Sequence, residues 1–191
     1  MAFAVLAIES PQAAYARLMA ARRGDPVEEI LARILASWLV GEGVMPEWLG
    51  LDEHEFGRMM LHHFPNFDTT EMLGVGSAVD QERGAEMDDL RKLLLASRTT
   101  GSQSEIWMTD IVIAGCLGSD HLWQDLGLWE RSDLTRLMFE NFRPLAIRNT
   151  KDMKWKKFLY KQLCETEGIY ICRAPSCEVC ADYAVCFGPE V

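Results

Sequence analysis

Cys172, Cys177, Cys180 and Cys186 stand in the arrangement C-x4-C-x2-C-x5-C, so four of the chain's six cysteines fall within one fifteen-residue stretch. Thiolates are soft donors that select zinc, copper(I) or iron–sulfur clusters, and four of them this close together make a complete tetrathiolate metal site. Structural zinc ribbons and fingers typically pair two C-x2-C knuckles that lie roughly a dozen or more residues apart and grip the ion from opposite sides. Here there is a single C-x2-C. Four sulfurs from one short loop better suit wrapping one side of a larger polynuclear core, and the first three match the C-x4-C-x2-C opening of plant-type ferredoxins, although the fourth follows too soon for that fold. The spacing therefore favours an iron–sulfur cluster, with zinc as the competing occupant.

The residues between and beside the cysteines have two readings each. Pro175, Gly188 and Pro189 hold a loop in a non-regular path and so lower the ordering cost of cluster binding, which ordinary turn formers do equally. Tyr183 and Phe187 suit shielding a cluster from water or packing against the rest of the protein. Arg173, inside the loop, suits neutralising an anionic cluster or simple exposure. Cys116 and Cys164 lie in helical patterns and read as small buried hydrophobes.

Something must carry this loop. With 191 residues, 49% apolar and 25% charged, the composition is that of a globular domain, and we expect one domain: a helical body over residues 1–168 with a cysteine loop over 169–191 packed on it. Apolar residues recur at three- and four-residue spacing over Pro11–Arg23, Pro26–Val40, Glu53–Phe64 and Asp80–Ser97, and Ser104–Leu117 is apolar nearly all round. Ser10 and Asp25 are placed as N-caps ahead of Pro11 and Pro26. Further on, His121–Leu128 follows a Gly-Ser-Asp turn, Ser132 is placed to cap a helix to Phe142, Pro144 opens another segment, and an amphipathic helix runs from Met153 to Glu165 with its lysines outward and Gly168 as its stop. Strand alternation, hairpin signals and fixed-period repeats do not occur. The fold class is all-α, a single helical domain of about seven or eight helices with a C-terminal cysteine-rich loop.

Apolar runs such as Ile111–Leu117 are far too short to span a bilayer, and Met1–Glu9 lacks the basic start of a secretion signal, so a cytoplasmic protein is expected, in which thiols stay reduced. The net charge of −10 disfavours a general nucleic-acid binder. That charge is uneven: Arg143–Lys161 holds seven basic residues against one acid, Asp152, a net +6 that leaves −16 on the remainder.

His121-Leu-Trp-Gln-Asp-Leu-Gly-Leu128, Asn141-Phe142, Met153-Lys-Trp-Lys-Lys-Phe158 and the cysteine segment through Phe187 and Gly188 resemble, in that order, the NifQ family of nitrogen-fixation proteins. The resemblance covers about seventy residues, and residues 1–100 add no motif to it. It implies an iron–sulfur protein, 4Fe-4S or molybdenum-containing 3Fe-4S, that takes up molybdenum and donates it for assembly of the nitrogenase iron–molybdenum cofactor. Its ligands map onto Cys172, Cys177, Cys180 and Cys186 without a departure in spacing. The implied partners are molybdate, the cofactor-assembly scaffold and the nitrogenase iron protein, with neither nucleic acid nor membrane.

Molybdate is a dianion, so the basic stretch before the loop suits raising the local anion concentration or attracting an acidic partner, and a solvated helix face is the plain alternative. Lys154, Lys157 and Arg173 are the cationic neighbours singled out, with His121 as a possible ligand and Trp123 as core. His54, His62 and His63, with His54 and His62 two turns apart on one face, offer imidazoles suited to a molybdenum ligand, but no H-E-x-x-H pair is present and the plainer reading is surface histidines. Two rivals stand beside the metal donor. One is a zinc-stabilised interaction module. The other is a helical DNA-repair glycosylase, whose cysteine loop has a first gap two residues longer; Gly74-Val-Gly76 is its only candidate glycine turn, and it leads into an acidic helix. No G-x-S-x-G, P-loop or complete dinucleotide fingerprint is present, and the expectation is a donor protein rather than a turnover enzyme.

Overall fold

Short polar side chains stand where the first helices begin, and each takes up a backbone N–H that the opening turn would leave unpaired. In the computed structural model, which describes residues 10–72, 75–76, 84–167 and 186–187, Ser10 Oγ accepts from Ala13 N–H at 3.2 Å to start α1 (Pro11–Ala21). Asp25 Oδ1 accepts from Val27 N–H at 3.0 Å at the start of α2 (Val27–Leu39). Asp52 does the same for Glu55 N–H at 2.7 Å ahead of α3 (Glu53–His63). After α4 (Gly84–Ala96), a reciprocal Ser102–Glu105 capping box opens α5 (Gln103–Cys116). The chain continues through α6 (Leu122–Asp125), α7 (Arg131–Asn141), α8 (Arg143–Ala146) and α9 (Trp155–Glu167). Among the described residues there are seven helices of eleven or more residues, two single turns and no strand, as the spacing of apolar residues requires.

Four starts differ from expectation: α2 begins at Val27 with Pro26 rather than Asp25 as its N-cap residue, α9 begins at Trp155 rather than Met153, and two more begin early. Helix α7 begins at Arg131, one residue before the anticipated cap Ser132, with extended Glu130 as its N-cap residue, and α5 begins at Gln103 because Ser102 takes the cap. Residues 80–83, Gly74 and the anticipated stop Gly168 lie outside the described residues.

Helices α2 and α5 form the centre. Ile30, Ile34 and Leu35 on α2 and Ile111, Val112 and Met108 on α5 are at most 1% exposed, and each such side chain contributes about 1.5–3 kcal/mol through its burial. Close approach to α5 is made by glycine. A Cβ on Gly115 would lie 2.7 Å from Leu126 Cδ2, and one on Gly50, at φ +84°, would lie 2.7 Å from Ala114 Cβ. The α6 turn and the Pro46–Leu51 segment therefore press directly on the central helix. No helix among the described residues is long and apolar enough to cross a membrane.

The three histidines of α3 do not share one environment, which corrects the surface reading of His63. His54 and His62 are exposed, whereas His63 is 1% exposed. It ties three helices together: Nδ1 lies 3.4 Å from Glu28 Oε1 on α2 and Nε2 lies 3.0 Å from Ser104 Oγ on α5. Glu28 is buried as well and accepts from the N–H groups of Arg23 and Gly24 at 3.3 and 2.7 Å. Burial, helped by the neighbouring His62, holds the His63 pKa below its usual 6.5, against the opposing pull of Glu28. A base with a depressed folded-state pKa binds fewer protons folded than unfolded between that pKa and its higher unfolded value. Stability is thus full above pH 6.5 and falls as pH drops from there toward the folded-state pKa. Urea titrations across pH 5–8 should show this loss in the wild type. His63→Gln should be less stable at pH 8 but should lose the histidine-dependent slope.

Candidate metal centre

Of the four tail cysteines, Cys186 is among the described residues; Cys172, Cys177 and Cys180 lie outside them, as do Arg173, Pro175, Tyr183, Gly188 and Pro189. Cys186 and Phe187 are half-buried and pack against the helical core. The Cys186 carbonyl accepts from Lys154 N–H at 2.8 Å. Lys154 is the residue immediately before α9, so Cys186 docks at the end of that helix where unpaired N–H groups give a partial positive charge.

The same helix end reaches into the body. Lys156 Nζ donates to the Gly118 carbonyl at 2.8 Å and forms an ion pair with Asp125. Asp125 is 1% exposed and the Lys156 side chain 16%. Packing is so tight that a Cβ on Gly118 would collide with the Asp125 carboxylate. Lys156 is therefore the exception to the expectation that the α9 lysines point outward. Trp155, Phe158 and Leu159 face the core as expected, at 4% exposure or less. Lys154 is half-buried, while Lys157 and Lys161 are exposed. The spacing of the three puts them on one stripe, with Lys161 3.6 Å and Arg148 3.9 Å from the Glu165 carboxylate.

His121 is half-buried at the start of α6, where its N–H donates to Gln124 Oε1 at 3.3 Å. Through Lys156 the His121–Leu128 block and the start of α9 become one assembly, and Lys154 and Cys186 belong to that assembly. Trp123 packs against the core as expected, with its buried Nε1–H unpaired among the described residues. Cys116 is buried within α5, and Cys164 is half-buried on α9; neither forms a disulfide. Among the described residues no group of three or more His, Cys, Asp or Glu side chains is arranged to hold a metal ion.

Two other constellations lie away from this assembly. Ser104, His63 and Glu28 follow the order of a nucleophilic triad, but the space beside them, walled by Leu31, Met59, Trp107 and Ile111, admits no water-sized molecule. The three residues join helices instead. A cavity of about 310 Å³ lies between α3, α4 and α5, lined by Asp52, Glu55, Asp88, Arg91 and Asp110. Burial raises the Asp110 pKa despite its pairing with Arg91.

What sequence reasoning missed are the partners that aim the basic residues: Asp125 for Lys156, and Arg131 and Asn149 for the turn before α9. One trace was visible, since Asp152 is the lone acid within the basic stretch.

Fold and cysteine spacing together define a protein that is helical over its described residues and carries a tetracysteine motif whose last member, Cys186, docks at the start of α9. The NifQ family profile matches residues 30–188, which include all four tail cysteines. Protein NifQ of Azotobacter vinelandii is 42% identical over 191 aligned residues, covering 90% of this chain and 98% of that protein. The NifQ homolog of Sinorhizobium fredii is 38% identical, covering 83% of this chain and 69% of that protein. Protein NifQ of Rhodobacter capsulatus is 28% identical, covering 84% and 87%. No solved structure matches. The chain belongs to the NifQ family of nitrogen-fixation proteins.

Removing one partner of a buried ion pair leaves the other charge uncompensated, at a cost of about 3 kcal/mol. Lys156→Met should lower the free energy of urea unfolding by that amount, and Lys156→Met combined with Asp125→Asn should recover most of it.

Proposed function

We propose that the chain holds an iron–sulfur cluster on Cys172, Cys177, Cys180 and Cys186, takes up molybdenum from molybdate there, and donates the metal for assembly of the nitrogenase iron–molybdenum cofactor. The observation that carries this reading is the complete C-x4-C-x2-C-x5-C set within a chain of the NifQ family. The donor chemistry fits: four soft thiolates match the four irons of a cubane, and a cubane with one heterometal corner needs three, which leaves molybdenum with labile ligands. Such a cluster supplies a sulfide-rich corner at which a heterometal is held and from which it is released.

The chain's own residues support this use. Cys186 sits at the positive end of α9, which favours an anionic thiolate or cluster beside it. Phe187, packed on the core, adds an apolar neighbour that limits water access. Lys154 and Lys157, on the stripe that leads to that end, raise the local concentration of the molybdate dianion. His121, held next to α6 in the assembly that Lys156 ties to α9, offers an imidazole as a non-thiolate ligand for molybdenum. Handover implies docking to the cofactor-assembly scaffold, with the nitrogenase iron protein as a further partner. The protein acts as a metal carrier and donor in the cytoplasm.

Anaerobic purification with iron, acid-labile sulfide and molybdenum analysis, and electron paramagnetic resonance before and after molybdate, tests the reading. The expected result is a coloured protein with several irons per chain whose resonance changes on molybdate addition. A colourless protein with one zinc per chain and no labile sulfide would overturn it. Substituting any one of the four cysteines by Ala should abolish stable metal incorporation while circular dichroism keeps most of the helicity; full unfolding would instead mark a structural metal.

A further inference from the structure

We propose that Arg131, Asn149 and Asp152 are positioning residues for Cys186: they lock the turn ahead of α9 so that Lys154 N–H is held where it fixes the Cys186 carbonyl. The functional meaning rests on Cys186 being a cluster ligand, as proposed above. Asp152 has φ +52°, a left-handed conformation that is uncommon for residues with a side chain, although Asp enters it more readily than most. From α7, the Arg131 guanidinium grips the Asp152 carboxylate with both terminal nitrogens, at 2.9 and 2.7 Å, and reaches the Asp152 carbonyl at 3.4 Å. A planar two-pronged pair of this kind sets orientation as well as distance.

The next residue is clamped by a second side chain. Met153 N–H donates to Asn149 Oδ1 and Asn149 Nδ2 donates to the Met153 carbonyl, each at 2.8 Å. Asn149 thus pairs with Met153 as a strand neighbour would and fixes its peptide groups on both sides. The N–H that follows belongs to Lys154, whose carbonyl already accepts from Phe158 N–H at 2.9 Å as part of α9. Strap on one side and helix on the other determine where Lys154 N–H points, and it points at Cys186, 2.8 Å away.

The exposure of these groups separates positioning from bulk stability. Asp152 is 72% and Arg131 29% exposed, and exposed ion pairs add little to global stability. Their loss should therefore be read at Cys186 rather than in the unfolding midpoint. Fixing one backbone carbonyl of the loop lowers the conformational freedom of that thiolate, so its sulfur stays at the cluster while metal is taken up and released.

The test uses the full chain, first as reduced, metal-free protein under anaerobic conditions. Residue-resolved iodoacetamide labelling followed by mass spectrometry gives the Cys186 rate, with Cys116 and Cys164 as internal references. Loss of one hydrogen bond corresponds to a factor of about five. Asn149→Ala and Arg131→Gln should each raise the Cys186 rate by about that factor and leave the reference cysteines unchanged. Lys154→Pro, which deletes the N–H itself just outside α9, should match them. After reconstitution with iron and sulfide, the same variants should lose iron to a chelator faster by a similar factor, and Arg131→Gln should do so with an unchanged unfolding midpoint. Cys186 labelling at wild-type rates in Lys154→Pro would overturn the proposal, and this variant decides the matter should Arg131→Gln not fold. A wild-type protein that takes up no iron would defeat the proposed function, while the labelling rates would still decide on the strap.

Discussion

Asp125 stands on a single-turn helix with 1% exposure, so its charge must be met inside the protein, and the ammonium of Lys156 meets it. Desolvating both groups is costly, and the pair is tolerable because Lys156 also satisfies the Gly118 carbonyl. Through this contact α9 is placed against α6, and α6 is in turn pressed on α5 at Gly115. The start of α9 is thereby referred back to the core. Cys186 is attached at that start, on a surface whose position the core determines.

The charge distribution follows from the same arrangement. A net +6 over Arg143–Lys161 looks in the sequence like a uniform basic run. In the fold it divides: Lys156 is consumed by Asp125, Glu165 faces both Arg148 and Lys161, and Lys157 is left on the outer stripe beside Lys154. Lys154 and Lys157 lie at the start of the helix that holds Cys186, the end where the helix dipole is positive.

Much of the fold was legible because its signals are local. Ser10 and Asp25 accept from N–H donors only three and two residues further on, and the apolar periods of α2, α5 and α9 are complete within single helices. The histidines of α3 show where such reading stops. His63 continues the buried stripe of Phe56, Met59 and Met60 at helical spacing, whereas His54 and His62 lie off it; what the sequence does not tell is that its partners are Glu28 and Ser104, 35 and 41 residues away. Lys156 is misassigned for the same reason: helical spacing tells which lysines share a face, while an acid from α6 selects the one that turns inward.

By itself the sequence determined the all-helical class, the order of the helices, and the four-cysteine spacing with the chemistry its thiolates allow. These follow from periodicity, capping and donor type, properties of residues close together in the chain. Tertiary structure alone decided that Lys156 pairs with Asp125, that Arg131 reaches across to Asp152, and that Cys186 docks on Lys154. Each contact joins groups 21 to 32 residues apart. Such contacts depend on how desolvated charges and unpaired backbone groups find partners once the helices are packed.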